Sequence, residues 1–426
     1  MQKLFFILVL LLTTGAFLNF WVADADSLAT AVKGDAQLQW FWLCVDSTVM
    51  LLCLPHVREI IRAAKGHIPL LLFVVWGTFS ISWSLDPVLS VRRIAGLICT
   101  SALGLYLGIR YDVKTLLKVV GRALAIAVAA SFLAALFLPS FGLMWGGLQG
   151  SWRGVFVHKN TMARVMVFAA ISFSYLCLDS KRNRWFYAPC LLGALTLIAL
   201  SQSMSAAAVL ALAGAIGFLV RVRLRPFAAI ASFAILLLAG VAIGTLFAGK
   251  TDAALALVGK DSTLTGRTYL WQLSLDAVWH RPFLGSGWDV FWGTAEGDRI
   301  RALIGWDAPH AHNAFLDFSL NVGIVGLLLF LSGLLDGIRK AIRYAGVGNR
   351  PFSHWPLLFY SFVFIYMFTE TMIVDRHSIF QILFCAIPVA MKREEENTRA
   401  SLKTEWDFNP ELSVPEPCAL LHPQIR

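Results

Sequence analysis

Charge is scarce in this chain of 426 residues, where Asp, Glu, Lys and Arg make up 15% and hydrophobic residues 58%. A soluble domain carries nearer a quarter charged residues, so an ordinary soluble enzyme is excluded. Strand-like alternation is missing too, and with it the signature of a membrane-spanning barrel. Cysteine is absent from the longest polar loop: Cys44, Cys53, Cys99, Cys177, Cys190, Cys385 and Cys418 lie in or beside apolar segments or in the C-terminal tail. That distribution predicts neither a disulfide framework nor a zinc site. The net charge is +10, but no Lys/Arg patch with interleaved aromatics accompanies it, so nucleic acid is not expected as a partner. No solenoid repeat and no inverted repeat is visible.

What the chain does have is a succession of apolar runs, each near the ~20 residues that cross a bilayer as helix. The runs are 4–22, 38–55, 68–85, 93–109, 119–138, 161–178, 186–201, 204–220, 226–248, 312–335, 356–373 and 378–391. They predict an all-α polytopic integral membrane protein of about twelve transmembrane helices. The first run, with Lys3 before it and Ala23 and Ala25 after it, is read as an uncleaved helix rather than a signal peptide. With the N-terminus inside, the clusters Arg58/Arg62/Lys65, Arg110/Lys114/Lys118, Lys181/Arg182/Arg184, Arg221/Arg223/Arg225 and Arg339/Lys340/Arg343 all fall on the cytoplasmic side. Residues 392–426 are charged and contain proline, which predicts a cytoplasmic tail with no core of its own. The transmembrane domain is then 1–391, both termini are cytoplasmic, and 249–311 is one large loop on the far side.

Within that loop, 266–280 predicts an amphipathic helix with Leu270, Leu273, Ala277 and Val278 on one face, and Trp271, Trp279, Trp288, Trp292 and Trp306 suit a headgroup layer. Three stretches on the same side are rich in chemistry. Ser151 to Asn160 contains Arg153, His158 and Lys159 and runs into a span bearing Arg164. An arginine one turn inside lipid is costly and should face a wet cavity or the protein interior; the alternative is that it snorkels to headgroups. Thr265-Gly266-Arg267 opens the amphipathic helix, where a planar guanidinium beside free backbone donors suits phosphate; the alternative is a solvated loop arginine. The third stretch is His310-Ala311-His312-Asn313, followed by Gly323 and Gly326, a pair expected to let another helix approach closely. Histidine there is able to take a proton near neutral pH. Asn313 and Asp317 share a helix face, and Glu370 and Arg376 join the same side. The blander reading of the two histidines is a polar collar, and a His pair without a further ligand predicts no metal.

The order Arg-Gly-x-Phe-x-His-Lys-Asn, then Thr-Gly-Arg with a following Gly-x-Gly, then His-Asn-x9-Gly-x-x-Gly resembles the O-antigen ligase and polymerase superfamily over about 151–330. The His158-Lys159-Asn160 variant looks most like the exopolysaccharide polymerases within it. The resemblance implies a GT-C-like, metal-independent glycosyltransferase without cofactor, in the bacterial inner membrane. It implies an undecaprenyl-pyrophosphate-linked glycan donor and either a lipid-linked repeat unit or lipid A core as acceptor. Membrane lipids and a chain-length regulator would be further partners. Carried over by position, His312 is the base, Arg153 and Arg267 hold the pyrophosphate, and Arg164, Lys159, Asn160, His310 and Asn313 line the substrate. Asp24 and Asp26, where other GT-C enzymes keep a metal-binding pair, are read as a solvated loop. Polymerase, ligase and, from a different class, a transporter or flippase stay open, although a transporter site belongs near the midplane rather than at one face.

Overall fold

A computed structural model describes residues 2–18, 36–145, 148–221, 267–347, 352–373 and 377–408. These residues form helices α1 (Gln2–Leu12), α2 (Ala36–Cys53), α3 (Val57–Lys65), α4 (Ile68–Phe79), α5 (Pro87–Arg110), α6 (Val113–Phe137) and α7 (Lys159–Asp179). They continue as α8 (Lys181–Ser201), α9 (Met204–Arg221), α10 (Arg267–His280), α11 (Ala295–Ile304), α12 (Ala314–Val347), α13 (Trp355–Tyr366) and α14 (Ile379–Phe408). Among the described residues no strand forms, apart from an isolated bridge between Leu143 and Trp152. The chain is an all-α membrane protein. Each expected span that falls on described residues contains a helix, although α1 ends at Leu12 and α13 at Tyr366, short of the expected 22 and 373. The expected span 226–248, the loop residues 249–266, Asp24, Asp26, Arg376 and the tail beyond 408 lie outside them. Among the described helices six are long and apolar enough to cross a bilayer, with shorter apolar helices at Gln2–Leu12, Ile68–Trp83, Met204–Val220 and Trp355–Tyr366.

Short polar connections start the helices where the sequence supplies caps. Asp86 accepts from the Leu89 amide (2.9 Å) ahead of Pro87, and Asp112 accepts from the Thr115 amide (2.6 Å). Each carboxylate satisfies an amide that has no partner within its own helix. Close packing then follows from small residues. A Cβ added at Gly104 or Gly108 of α5 would lie 2.3 Å from the Ile382 carbonyl or 2.5 Å from that of Ala386 in α14. The two backbones therefore approach at that seam, a contact that only glycine permits. Phe168 of α7 packs against Phe359, Phe362 and Phe380, joining α7, α13 and α14 through edge-on and tilted rings.

One end of the bundle carries the basic clusters. There Lys114 and Lys118 pair with Asp179 (2.5 and 3.1 Å), and Lys340 bonds Asp336 (2.5 Å) and His67 Nδ1 (2.8 Å). The residues expected to form a coreless tail differ in part: α14 runs on to Phe408. Its emerging turn is tied down by Arg393, which donates to the Ile109 carbonyl (2.5 Å), and by the Tyr344 hydroxyl, which donates to Glu394 (2.8 Å).

At the opposite end, α10 and α11 build a small cap with its own core of Leu270, Ala277, Phe291, Trp292, Ile300, Ala308, Ala311 and Leu320. The expected helix forms and buries Leu270 and Ala277, but it is not amphipathic as expected, since Leu275 and Trp279 on its other side are exposed apolar residues. The sequence reading did not foresee α11, although Thr294 caps it and Glu296 and Asp298 occupy its first turn, favourable for the helix dipole. The tryptophans expected in the headgroup layer divide: Trp288 and Trp292 are buried, Trp271 and Trp306 half-buried, and Trp279 is 71% exposed.

The expected helix contact at Gly323 is a loop contact instead. Gly323 breaks α12 with φ 69°, and a Cβ there would stand 2.0 Å from the Phe283 carbonyl. The segment after α10 crosses at this kink, where the Ile324 amide donates to the Pro282 carbonyl (2.8 Å). Gly326 instead faces Trp76 of α4, 3.0 Å from an added Cβ.

Candidate active site

The cap meets the bundle where α7, α10 and α12 begin and where the segment 367–373 follows α13. Asn313 caps α12, its side-chain oxygen accepting from the amides of Phe315 (3.0 Å) and Leu316 (3.3 Å). The Ala314 amide donates to the Met367 carbonyl (2.8 Å), which draws the 367–373 segment alongside. Asp317, one turn in and 1% exposed, gathers the pieces. It accepts from the Ala311 amide (2.9 Å), the Trp292 indole (2.8 Å) and the Thr371 hydroxyl. Trp271 of α10 donates to the Ala311 carbonyl (2.8 Å).

These bonds hold the turn 310–312 with His312 at φ 50°, a left-handed conformation that a non-glycine residue adopts only when its surroundings enforce it. His310 Nδ1 accepts from the His312 amide (3.1 Å), and the two rings lie 4.2 Å apart. Glu370 lies against both. Its Oε1 is 3.1 Å from His312 Nδ1 and 3.6 Å from Arg267 Nη2, and its Oε2 is 3.5 Å from His310 Nε2. Arg267 also donates to the Thr369 carbonyl (3.4 Å) and Arg164 to that of Thr371 (3.0 Å), so two guanidinium groups straddle the residue that carries the carboxylate.

Electrostatics here follow from burial and from these neighbours. Burial by itself would raise the Glu370 carboxyl, but the imidazoles of His312 and His310 and the Arg164 guanidinium outweigh it and hold Glu370 well below the usual carboxylate range. Burial, with His312 beside it, lowers His310 to about 3, so its ring is neutral at pH 7. His158, the N-cap of α7, is lowered to about 4, again chiefly by burial. Glu370, His312, Lys159 and Arg153 all act on it electrostatically, which puts His158 at the edge of the same cluster.

The residues expected from sequence are thus brought together unevenly. His312, His310, Arg267 and Arg164 converge on one acidic segment. Asn313 serves as the helix cap. Arg153 is buried, and its guanidinium donates to the carbonyls of Phe141 (2.9 Å), Val157 (3.4 Å) and Ser140 (3.5 Å), closing the 139–158 loop on itself. Lys159 donates to Ser151 (3.3 Å), and the Asn160 amide donates to His158 Nδ1 (3.1 Å). Sequence reasoning placed Glu370 on this side and named His158 in its stretch but gave neither a role, read Trp292 as a headgroup residue, and missed Thr371. Glu370 and Thr371 lie 58 and 59 positions beyond His312, with no motif to connect them.

A carboxylate on Nδ1 of His312 keeps the neutral ring's proton there and leaves the Nε2 lone pair available, the arrangement of a general base. His310, His312 and Glu370 also offer three ligand atoms within 4.8 Å of one another, a donor set of the kind that holds a divalent metal. That third donor is what the sequence reading lacked. Arg267, however, already supplies positive charge to the same Glu370 oxygen.

Comparison with known proteins bears on the family. The O-Antigen ligase family, Wzy_C, matches residues 188–331, which include α10, α11, both histidines and the Gly323 kink. This match, with the likeness that follows, supports the O-antigen ligase/polymerase superfamily. It is similar to the exopolysaccharide production protein ExoQ of Rhizobium meliloti (strain 1021), 30% identical over 299 residues. That alignment takes in 65% of this chain and 66% of ExoQ, so the chain spans just under two thirds of its relative's length. The matched family and the described helices together support a multi-pass membrane protein.

Proposed function

We propose that the protein is a metal-independent glycosyltransferase that polymerises undecaprenyl-pyrophosphate-linked oligosaccharide repeat units into exopolysaccharide or O-antigen. In this reading it sits in the inner membrane with both termini cytoplasmic and the site at the periplasmic face. The observation that carries it is the 3.1 Å contact of His312 Nδ1 with Glu370 beside Arg267. His312 Nε2 takes the proton of the acceptor hydroxyl as that oxygen bonds the anomeric carbon of the donor. The bond from that carbon to the pyrophosphate oxygen breaks, and the leaving pyrophosphate gathers charge next to Arg267 and Arg164. Direct displacement of this kind inverts the anomeric centre. Arg153 serves by folding the loop that presents His158, Lys159 and Asn160 to the substrate. The guanidinium groups provide the cationic stabilisation that a metal would otherwise supply, which supports the metal-independent reading.

The ExoQ likeness favours polymerisation over transfer to lipid A core, the second reading, which the ligase name of the matched family keeps in view. The test is to supply purified protein with synthetic undecaprenyl-pyrophosphate oligosaccharide and resolve the lipid-linked products by size. Longer lipid-linked chains are expected, unaffected by a divalent-metal chelator and lost in His312→Ala and Arg267→Ala. Full activity in both variants would remove the mechanism, loss of activity on chelation would remove its metal independence, and transfer to lipid A core alone would select the ligase.

A further inference from the structure

Helix α10 is apolar on two faces. Leu270, Ser274 and Ala277 turn into the cap core. On the opposite side Leu275 is 48% exposed and Trp279 71%, and just past the helix end Phe283 is 67% and Leu284 43% exposed. Leu275, Trp279 and Phe283 are spaced four residues apart, so they continue one line along the helix and off its end. The line runs beside the exposed Gln272, Asp276 and His280, the mixed polar and apolar make-up of an interaction surface, and no described residue of this chain covers it.

The depth of the edge identifies its cover. Phe283 and Leu284 cross α12 at Gly323, where their backbone atoms would lie 2.0–2.6 Å from an added Cβ. Seventeen residues further along α12, Lys340 pairs with His67 and Asp336 at the basic end. At about 1.5 Å of rise per residue Gly323 stands roughly 26 Å from Lys340, inside a hydrocarbon core about 30 Å thick. Hydrogen bonds fix the same segment to the end of α4 and the start of α5. The Trp83 indole donates to the Leu284 carbonyl (2.9 Å) and the Leu85 amide to that of Ser286 (2.9 Å). Immediately beyond, Leu85 (48%) and Val88 (71%) begin the exposed apolar flank of α5, a helix long and apolar enough to cross a bilayer. The α10 edge is therefore continuous with the exposed apolar flank of a candidate span, at a height along α12 that falls within the thickness of a hydrocarbon core.

We propose that the Leu275–Leu284 edge is an interfacial membrane-binding surface, seated among the acyl chains of the leaflet on the site face. Trp279 and Tyr269 take the aromatic positions of the interface, and Arg281 extends its guanidinium back to the headgroups. The consequence reaches the site, because the other end of α10 is Arg267, 3.6 Å from Glu370. Lipid thus serves as one wall of the scaffold that positions Arg267. This inference rests on depth and exposure alone and holds whatever substrate the site takes.

The test uses the intact, unmutated chain in nanodiscs of phosphatidylethanolamine and phosphatidylglycerol doped with a phosphatidylcholine that carries a diazirine in its acyl chain. Photolysis, digestion and mass spectrometry then map the adducts. Peptides covering 275–284 should carry lipid adducts at the level of the α5 flank and an order of magnitude more than α11. A water-soluble carbene precursor should give the reverse pattern. Labelling of 275–284 like α11 by the water-soluble reagent, or its crosslinking to a second copy of the chain in place of lipid, would overturn the proposal. The double variant Trp279→Ser/Phe283→Ser, if it folds, should lose the adducts in 275–284 while keeping those on α5.

Discussion

Replacing Glu370 by glutamine keeps the shape of the side chain and removes its charge, which isolates what that charge does. Three contacts are affected: His312 Nδ1 at 3.1 Å, His310 Nε2 at 3.5 Å and Arg267 Nη2 at 3.6 Å. At an effective dielectric constant of about 20, a pair of unit charges at the Arg267 distance attracts by roughly 4–5 kcal/mol before desolvation is counted. Stripping one partner from a buried pair typically costs about 3–5 kcal/mol, so Tm should fall clearly. The carboxamide is able to offer an N–H to His312 Nδ1, which would move the ring proton to Nε2 and remove the lone pair that the reaction uses. General-base catalysis is worth about 10²–10⁴ in rate, equivalent to about 2.7–5.4 kcal/mol. Glu370→Gln should therefore lower kcat by that factor in a lipid-linked chain-extension assay, while Glu370→Asp, which keeps the charge, recovers part of it. A folded Glu370→Gln protein with kcat within about threefold of the parent would refute the base assignment, since the expected loss is at least an order of magnitude larger.

Three further outcomes follow from the same geometry. Arg153→Ala should lose stability and activity together, because Arg153 closes a loop through three carbonyls, and Arg267→Ala should lose activity with a fall in Tm no larger than that of Glu370→Gln, since Glu370 keeps both histidines; parallel Tm and kcat measurements check both. Gly323→Ala combines a positive φ with a carbonyl 2.0 Å from the new carbon, so it should cost at least about 2–3 kcal/mol and fail to match parental Tm even at low temperature of expression. Stability should fall as pH drops from 6.5, because unfolded His158 and His310 take protons there while the folded ones, lowered to about 4 and about 3, do not. Glu370, held below its ordinary 4.5, adds stability that is present above that pH and lost beneath it. Tm against pH should show the decline, and His158→Asn should flatten it between pH 6.5 and about 4.

The membrane fold was legible because its cause is local: each span needs its own apolar run, and the caps at Asp86, Asp112, Thr294 and Asn313 are polar residues at helix starts. Arg164, Arg267, His310 and His312 were legible as chemistry for a similar reason, since a charged or titratable group beside an apolar run has to be accounted for. What the sequence hid depends on tertiary contact. Nothing in the run Phe368–Ile373 signals that Glu370 comes within hydrogen-bond reach of His312, because that proximity is set by the Ala314–Met367 backbone bond. Arg153 reads in sequence like a ligand-binding cation, and only the fold reveals that its donors point at backbone carbonyls. Gly323 looks like half of a helix-packing pair, yet its positive φ and the crossing Phe283 make it the point where the cap enters the bundle.

The spacing of the two histidines has a physical reason in this arrangement. His312 sits at φ 50°, a conformation that costs on the order of 1–3 kcal/mol and persists only if several bonds hold it. His310 supplies one by accepting the His312 amide, an i, i+2 bond that requires Nδ1 to be unprotonated. Burial of His310 meets that requirement by keeping the ring neutral. Asp317 supplies another by fixing Ala311 between the histidines, and it does so while also holding Trp292 of the cap and Thr371 of the acidic segment. One buried carboxylate therefore sets the turn that aims His312, and through Thr371 it positions the stretch that carries the carboxylate facing His312. The two acids have different tasks: Asp317 is consumed by the fold, and Glu370 is left to govern the proton on His312.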